Sequence, residues 1–119
     1  MGEKLSILIL EDNLDDFFLL KEALDGSEKT SSKIIHVARL EAALEKAKHD
    51  CVDVAILDLH VPDSHGIETF ATFHARFPSI PAIVMTDISD LDLALSAVKQ
   101  GAQDYIHKGD SSAVAIIRI

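Results

Sequence analysis

The 119-residue sequence contains one cysteine, one tyrosine, three prolines and no tryptophan. Because Cys51 has no partner cysteine, a disulfide within the chain is excluded, which favours a reducing compartment. Aromatic residues make up 5% of the chain and hydrophobic residues 48%, so the core should be aliphatic. No apolar run approaches the roughly 20 residues that span a bilayer. These absences predict one soluble cytoplasmic domain with no membrane segment.

Positive charge is also scarce, with 11 basic against 20 acidic residues and a formal net charge of -9. Proteins that bind nucleic acid place cations against phosphates, so direct nucleic-acid binding is not expected from this chain. The six histidines include no pair four residues apart on one predicted helix face and no cysteine companion. A zinc site is therefore not expected either.

Short apolar runs alternate with amphipathic stretches along the whole chain. Strands are predicted at 5–10, 33–38, 52–59, 82–85 and 104–107. Helices are predicted at 14–24, 40–47, 64–77 and 89–100, and a further helix from residue 111 onward. This alternation is typical of an α/β domain whose doubly wound, five-stranded parallel sheet carries helices on both faces.

Polar and charged side chains stand at the carboxyl ends of four predicted strands. The residues are Glu11, Asp12, Asp58, Thr86 and Lys108. Ligands of open α/β sheets bind at this edge, so we expect the five side chains to converge. Three carboxylates together favour a hard cation with oxygen ligands, Mg²⁺ or Mn²⁺. Asp58 could then attack phosphorus as a nucleophile, while Lys108 and Thr86 contact phosphoryl oxygens.

Each of these residues has a simpler explanation when it is considered alone. Asp12 or Asn13 could cap the first helix, and Asp15 and Asp16 would complement its dipole. Asp58 could be an acid in a turn. These separate explanations do not predict that the ends of four strands together supply the residues of one phosphoryl-binding site. The joint occurrence of these residues therefore favours the functional interpretation.

Four segments, in this order, resemble a known family. They are 7–13, 57–66, 83–86 and 101–108, which read ILILEDN, LDLHVPDSHG, IVMT and GAQDYIHK. In them the chain resembles a response-regulator receiver domain of two-component signalling, similar to chemotaxis regulators. The resemblance implies a flavodoxin-like fold with strand order 2-1-3-4-5. We also expect residues 1–119 to be one receiver domain whose last helix is cut short and whose output domain is missing.

The resemblance also implies roles for the residues at the strand ends. Asp58 corresponds to the phosphoacceptor and Asp12 to a direct metal ligand. Glu11 would act through metal-bound water, and His60 would offer its backbone carbonyl to the metal. The phosphoryl donor would be a histidine kinase or a histidine phosphotransfer domain.

Thr86 and Tyr105 correspond to a switch pair that would alter the face formed by the fourth helix and the fifth strand of the sheet. This change would be passed to a covalently attached or separate effector domain. The chain would assist its own phosphorylation and dephosphorylation but would not turn over a dedicated substrate.

The sequence departs from the family pattern at two places and leaves alternatives open. Asp87 follows Thr86 where a small residue is usual, and Gly109 follows the lysine where proline is usual. Ile88, two residues after Thr86, could shield a phosphoryl group from water. One alternative is a pseudo-receiver that binds partners without phosphorylation. Another is an aspartate-nucleophile phosphohydrolase, although His60 stands where such an enzyme needs a proton-donating acid.

Overall fold

The computed structural model describes residues 5–26 and 32–108. Seven strands are present in these ranges: β1 Leu5–Leu10, β2 Ser32–Val37, β3 Val54–Asp58, β4 His60–Val61, β5 Ser64–His65, β6 Ala82–Thr86 and β7 Asp104–His107. The α-helices are α1 Leu14–Gly26, α2 Leu40–His49, α3 Ile67–Arg76 and α4 Leu91–Lys99, the last preceded by a one-turn 3₁₀ helix at Ile88–Asp90. None of the helices in these ranges has the length and apolar character required to cross a membrane. The helix predicted from residue 111 lies outside the described residues.

Five of the strands form one parallel sheet in the order β2-β1-β3-β6-β7. The strands β4 and β5 form a separate two-residue hairpin, so the order of the main sheet is the predicted 2-1-3-4-5, which is confirmed. The strand order reverses between β1 and β3, where Leu10 pairs with Leu57. This register puts the residues that follow β1 beside the end of β3, at the point where ligands bind in doubly wound sheets.

The two faces of the sheet bury two aliphatic clusters, because alternate residues of a strand point to opposite sides. One cluster packs under α2, α3 and α4 and includes Leu8, Leu57 and Val84. The other packs under α1 and includes Ile9 and Ile56. Strands buried on both faces are expected to read as continuous apolar runs, as β1 and β3 do.

The apolar stripe that the sequence pattern gives α4, namely Leu91, Ala94, Leu95 and Val98, is fully buried only at Ala94. Ala94 and Ala97 are fully buried, whereas Leu91, Leu95 and Val98 are 41%, 43% and 37% exposed. The two alanines are small enough to let α4 lie close to the sheet, so the larger side chains are left at the edges of the contact.

The helix predicted at 64–77 begins three residues later, and this part of the prediction is wrong. Ser64 and His65 pair with β4 in the hairpin instead of entering the helix. Gly66 follows with φ 70° and ψ −151°, a backbone conformation that essentially requires glycine, so α3 starts only after it. The Gly66 N–H donates to the Leu59 carbonyl at 2.6 Å, which closes the loop that follows Asp58.

Asp63 ties the same loop to helix α2. Its carboxylate accepts hydrogen bonds from the backbone N–H groups of Leu40 at 2.8 Å and Glu41 at 3.0 Å. Burial acts to raise the pKa of Asp63, but these two N–H groups, together with its own N–H and the charge of Arg39, lower the pKa below its ordinary value. Asp63 therefore caps α2 from a distant part of the chain, which fixes the loop next to the phosphoacceptor candidate.

We expect Gly101→Ala to destabilise the protein by about 1–3 kcal/mol, because Gly101 has φ 121°. An added Cβ would also lie 2.9 Å from Nε2 of His74, which stacks on Phe70. Urea unfolding of Gly101→Ala in the wild-type and His74→Ala backgrounds separates the two effects. Gly101→Ala is expected to lower the free energy of unfolding by less in the His74→Ala background than in the wild-type background. Equal stability of Gly101→Ala and wild type would contradict the prediction.

Candidate functional site

Asp58 is the last residue of β3 and is buried at the carboxyl edge of the sheet, with 2% of its surface exposed. Its Oδ1 accepts a hydrogen bond from the backbone N–H of His60 at 3.0 Å. Its Oδ2 lies 2.9 Å from the Lys108 ammonium, which donates to it. The carboxylate is therefore oriented from both sides, by the loop that follows it and by the end of β7.

Glu11 follows β1 directly and is fully buried. Its backbone N–H donates to the Val37 carbonyl of β2 at 3.0 Å, and its carbonyl oxygen lies 2.8 Å from Nε2 of His36. The Glu11 side chain accepts a hydrogen bond from the Asn13 N–H at 3.0 Å. The edge strand β2 thus helps to hold the Glu11 backbone in place.

Asp12 completes a group of three carboxylates with Glu11 and Asp58. One carboxylate oxygen from each lies within 4.8 Å of the other two. Asn13, not Asp12, caps helix α1, since the Asn13 side-chain oxygen accepts a hydrogen bond from the Asp16 N–H at 3.0 Å. The acidic pair after β1 is therefore not explained by helix capping.

Lys108 follows β7 and reaches this group of carboxylates. Its backbone N–H donates to the Thr86 carbonyl at 2.9 Å, which extends the pairing of β7 with β6. Its ammonium lies 2.9 Å from Asp58, 3.2 Å from Asp16 and 3.3 Å from Oε1 of Glu11. Burial by itself would lower the pKa of Lys108, but the hydrogen bond and charge of Asp58, with Glu11 and Asp16, raise it. Lys108 is therefore held as a cation.

The Glu11 carboxyl has a strongly raised pKa of about 8. Burial is the main cause, and the hydrogen bond and charge of Asp58 add to it. The Asn13 N–H and the Lys108 charge act in the opposite direction but do not compensate. One lysine therefore does not neutralise the site, since one buried carboxyl keeps its proton near neutral pH.

Thr86 and Tyr105 lie on the same face of the sheet, on the side of α4. Val84 pairs with Tyr105 and Thr86 with His107, and paired residues of parallel strands share a face. Thr86 is 1% exposed, and its hydroxyl has no hydrogen-bond partner among the described residues. Tyr105 is half-buried against the core, with its ring centroid 5.5 Å from that of His107.

The side chain of His60 contacts a residue outside the group of three carboxylates. Its Nε2 lies 3.3 Å from the carboxylate of Asp90, which connects the loop after β3 to the loop after β6. Asp87, the first departure from the family pattern, is exposed. The side chain of Ile88 and the whole of Gly109 lie outside what the structure describes.

Two residues near the site were not predicted from the sequence. Asp16 contacts Lys108, although its position suggested only an effect on the helix dipole. Its place in the first turn of the helix that follows the acidic pair is a signal that could have indicated the contact. His36 contacts the Glu11 carbonyl from the edge strand β2, which carries none of the predicted site residues. No sequence pattern marks His36, because its contact depends on the pairing of β1 with β2.

A parallel sheet of this order, with an acidic pair after β1, an aspartate ending β3 and a lysine after β7, defines a receiver-type α/β domain. Residues 7–117 match the family described as the response regulator receiver domain. The chain therefore belongs to this family, the receiver domains of two-component response regulators.

Curated relatives agree with this assignment over most of the chain. The transcriptional regulatory protein ZraR of Klebsiella oxytoca is 32% identical over 107 residues, which cover 90% of this chain and 24% of that protein. The DNA-binding transcriptional regulator NtrC of Escherichia coli is 34% identical over 103 residues, 86% of this chain and 21% of that protein. The chain thus spans less than a quarter of the length of these relatives.

Solved structures share the fold at lower sequence identity. The receiver domain of a response regulator from Bacteroides fragilis has a TM-score of 0.82 and 21% identity, covering 95% of this chain and 92% of that one. A CheY-like receiver domain protein from Methanospirillum hungatei has a TM-score of 0.78 and 22% identity, and the match covers 95% of this chain and 89% of that one. These similarities establish the fold.

We predict that the free energy of unfolding of the metal-free protein decreases between pH 4.5 and 8, and that Glu11 causes part of this decrease. Below pH 4.5, the ordinary pKa, Glu11 is protonated in both the folded and the unfolded chain, and its contribution to stability is complete. As the pH rises towards 8, the unfolded chain releases this proton while the folded chain retains it, so stability is lost.

Urea unfolding in EDTA across this pH range measures the effect. Relative to Glu11→Gln, the wild type should lose stability by at most about 1.4 kcal/mol per pH unit. Glu68→Gln, a change at an exposed position on α3, should parallel the wild type. Parallel profiles for wild type and Glu11→Gln would contradict the prediction.

Proposed function

We propose that this chain accepts a phosphoryl group on Asp58 from a histidine kinase or a histidine phosphotransfer domain. The observation that carries the proposal is the pairing of the buried Asp58 carboxylate with Lys108 at 2.9 Å, next to Glu11 and Asp12. In the transfer, the P–N bond of a phosphohistidine breaks as a P–O bond to Asp58 forms, and the electron pair returns to the imidazole.

The three carboxylates fit a divalent cation of the Mg²⁺ or Mn²⁺ type. Glu11, Asp12, Asp58 and the backbone carbonyl of His60 would hold it, all through the oxygen atoms that such ions prefer. The burial of Glu11 next to Asp58 supports this assignment, because two carboxyl groups withdrawn from water favour an added positive charge. When bound, the cation supplies charge that offsets the negative phosphoryl group.

Lys108 and Thr86 would bind the phosphoryl oxygens. Lys108 is a cation already in contact with Asp58, so it would donate to the incoming group with little rearrangement. Thr86 brings a buried hydroxyl without a partner among the described residues. A buried hydroxyl that lacks a hydrogen bond is costly, which favours its movement towards a new acceptor at Asp58.

Movement of Thr86 would free space on the face that it shares with Tyr105. The ring of Tyr105 would turn inward and alter the surface formed by α4 and β7, the fourth helix and last strand of the sheet. This is the bistable element through which a local change in charge would reach an effector. The exposed Leu91, Leu95 and Val98 of α4 belong to the same surface.

Other properties follow from this role. We propose that residues 1–119 form one receiver domain, that it acts in the cytoplasm, and that it has no dedicated substrate turnover. NtrC is named a DNA-binding regulator. We assign any nucleic-acid contact to an effector domain, because this chain carries a formal net charge of -9.

A pseudo-receiver is the second candidate, and Asp87 favours it. Its carboxylate adds negative charge at the position whose backbone N–H would help to hold a phosphoryl group. Because Asp87 is exposed, its charge is largely solvated, and the receiver remains the better supported function. A phosphohydrolase is less well supported, since His60 occupies the position of the required acid.

We expect Asp58→Asn to abolish labelling by acetyl phosphate in the presence of Mg²⁺, because the amide is not a nucleophile. Intact-mass measurement of the wild type should show the addition of one phosphoryl group that is lost in mild base and on treatment with hydroxylamine, as expected of an acyl phosphate, and acid-stable labelling would contradict the proposal. Asp92→Asn, an exposed position on α4, should be labelled like the wild type. Labelling of Asp58→Asn would exclude Asp58 as the acceptor, and an unlabelled wild type would favour the pseudo-receiver.

The switch can be followed with Tyr105, because the chain has one tyrosine and no tryptophan. Beryllofluoride with Mg²⁺ should reduce quenching of tyrosine fluorescence by acrylamide as the ring turns inward. Thr86→Ala should abolish this change, whereas Thr86→Ser, which keeps the hydroxyl, should retain it. Fluorine NMR would verify that each variant binds beryllofluoride. An equal decrease in wild type and Thr86→Ala would contradict the coupling of these residues.

A further inference from the structure

Asp16 is a fourth carboxylate at the site. It lies in the first turn of α1, four residues after Asp12 in the sequence, and its Oδ2 is 3.2 Å from the Lys108 ammonium. Its side chain is 30% exposed, against 0% for Glu11 and 2% for Asp58. It therefore approaches the lysine from the solvent side of the buried carboxylates.

The first turn of α1 is held firmly, so the direction of Asp16 is set by the fold. The Asp16 N–H donates to the Asn13 side chain at 3.0 Å. The next residue, Phe17, is buried and stacks on His36 with ring centroids 3.8 Å apart and planes 6° apart. His36 in turn contacts the Glu11 carbonyl at 2.8 Å. Asp16 thus stands on an element fixed to the ends of β1 and β2.

The three carboxylates around Lys108 match the three N–H bonds of an ammonium group. Glu11 and Asp58 belong to the set of three whose oxygens lie within 4.8 Å of one another, and Asp58 is also the proposed phosphoacceptor. Asp16 lies outside that set. Among the described carboxylates that contact Lys108, it alone keeps its oxygens available to the lysine when a cation and a phosphoryl group engage the others.

We propose that Asp16 is a positioning residue that anchors Lys108 to helix α1 and thereby aims its ammonium at the phosphoryl group on Asp58. This inference rests on the proposed phosphoryl-accepting function. An anchored ammonium loses less conformational freedom when it binds a phosphoryl oxygen, which increases the contribution of that contact. The first-turn position of Asp16 also suits the helix dipole, and the test must separate the two effects.

Asp15 provides the matched control. It is in the same turn of α1 and carries the same charge, and it is exposed. Asp15→Asn and Asp16→Asn therefore change the net charge and the helix dipole in nearly the same way. A difference between the two variants reports on the contact of Asp16 with Lys108.

Two measurements test the proposal. Labelling by acetyl phosphate with saturating Mg²⁺ should be about fivefold to tenfold slower in Asp16→Asn, a modest effect because Asp16 is partly exposed. Asp15→Asn should remain within about twofold of the wild type. Asp16→Glu, which keeps the charge on a longer side chain, should recover part of the rate. Equal rates in the two asparagine variants, or a faster rate in Asp16→Asn, would overturn the proposal.

The second measurement does not depend on phosphorylation. NMR of the Lys108 side chain, without metal or phosphodonor, should show faster exchange of the ammonium protons in Asp16→Asn than in wild type or Asp15→Asn. Unchanged exchange in Asp16→Asn would overturn the anchoring role. If the wild type is not labelled on Asp58, the proposed function fails, and the NMR comparison still decides whether Asp16 anchors Lys108.

Discussion

The site depends on the burial of like charges at one edge of a parallel sheet. Glu11 and Asp58 are almost completely withdrawn from water, with Asp12 beside them. Removing a carboxylate from water costs several kcal/mol unless an opposite charge and hydrogen bonds compensate, and here one lysine faces this group of acids. The proton retained by Glu11 is the result. A site in this electrostatic state favours added positive charge, which is the physical basis for proposing a cation there.

The buried acids are held in place because the backbone around them is fixed by contacts from several elements. The loop after Asp58 is closed by the Gly66–Leu59 hydrogen bond and tied to α2 by the Asp63 carboxylate. The segment after β1 is held by β2 through Val37. The rigidity comes from backbone hydrogen bonds, from the Asp63 carboxylate and from aliphatic packing, and the buried acids of the site lie at the edge of that scaffold.

The same scaffold leaves apolar side chains at the surface. Leu14 and Phe18 of α1 are 59% and 57% exposed, and the larger side chains of α4 are exposed as well. The site lies at the carboxyl edge of the rigid sheet, whereas these side chains lie on the outer faces of α1 and α4. The relatives named above extend far beyond the length of this chain.

The sequence by itself determined the order of strands and helices and the set Glu11, Asp12, Asp58, Thr86 and Lys108. This was possible because apolar periodicity follows burial, and because the carboxyl ends of parallel strands meet at one edge. The roles of these residues remain proposals. The hairpin at Ser64 was missed because pairing across a short loop leaves no periodic pattern.

The tertiary structure decided which side of each helix meets the core and which distant residues touch. The apolar pattern of α4 includes Leu91, Leu95 and Val98, yet the residues of this helix that are fully buried are Ala94 and Ala97. Asp16 reaches Lys108 and His36 reaches Glu11 across separations of 92 and 25 residues. Contacts of this kind depend on how strands and helices are packed, so they cannot be predicted from a local sequence pattern.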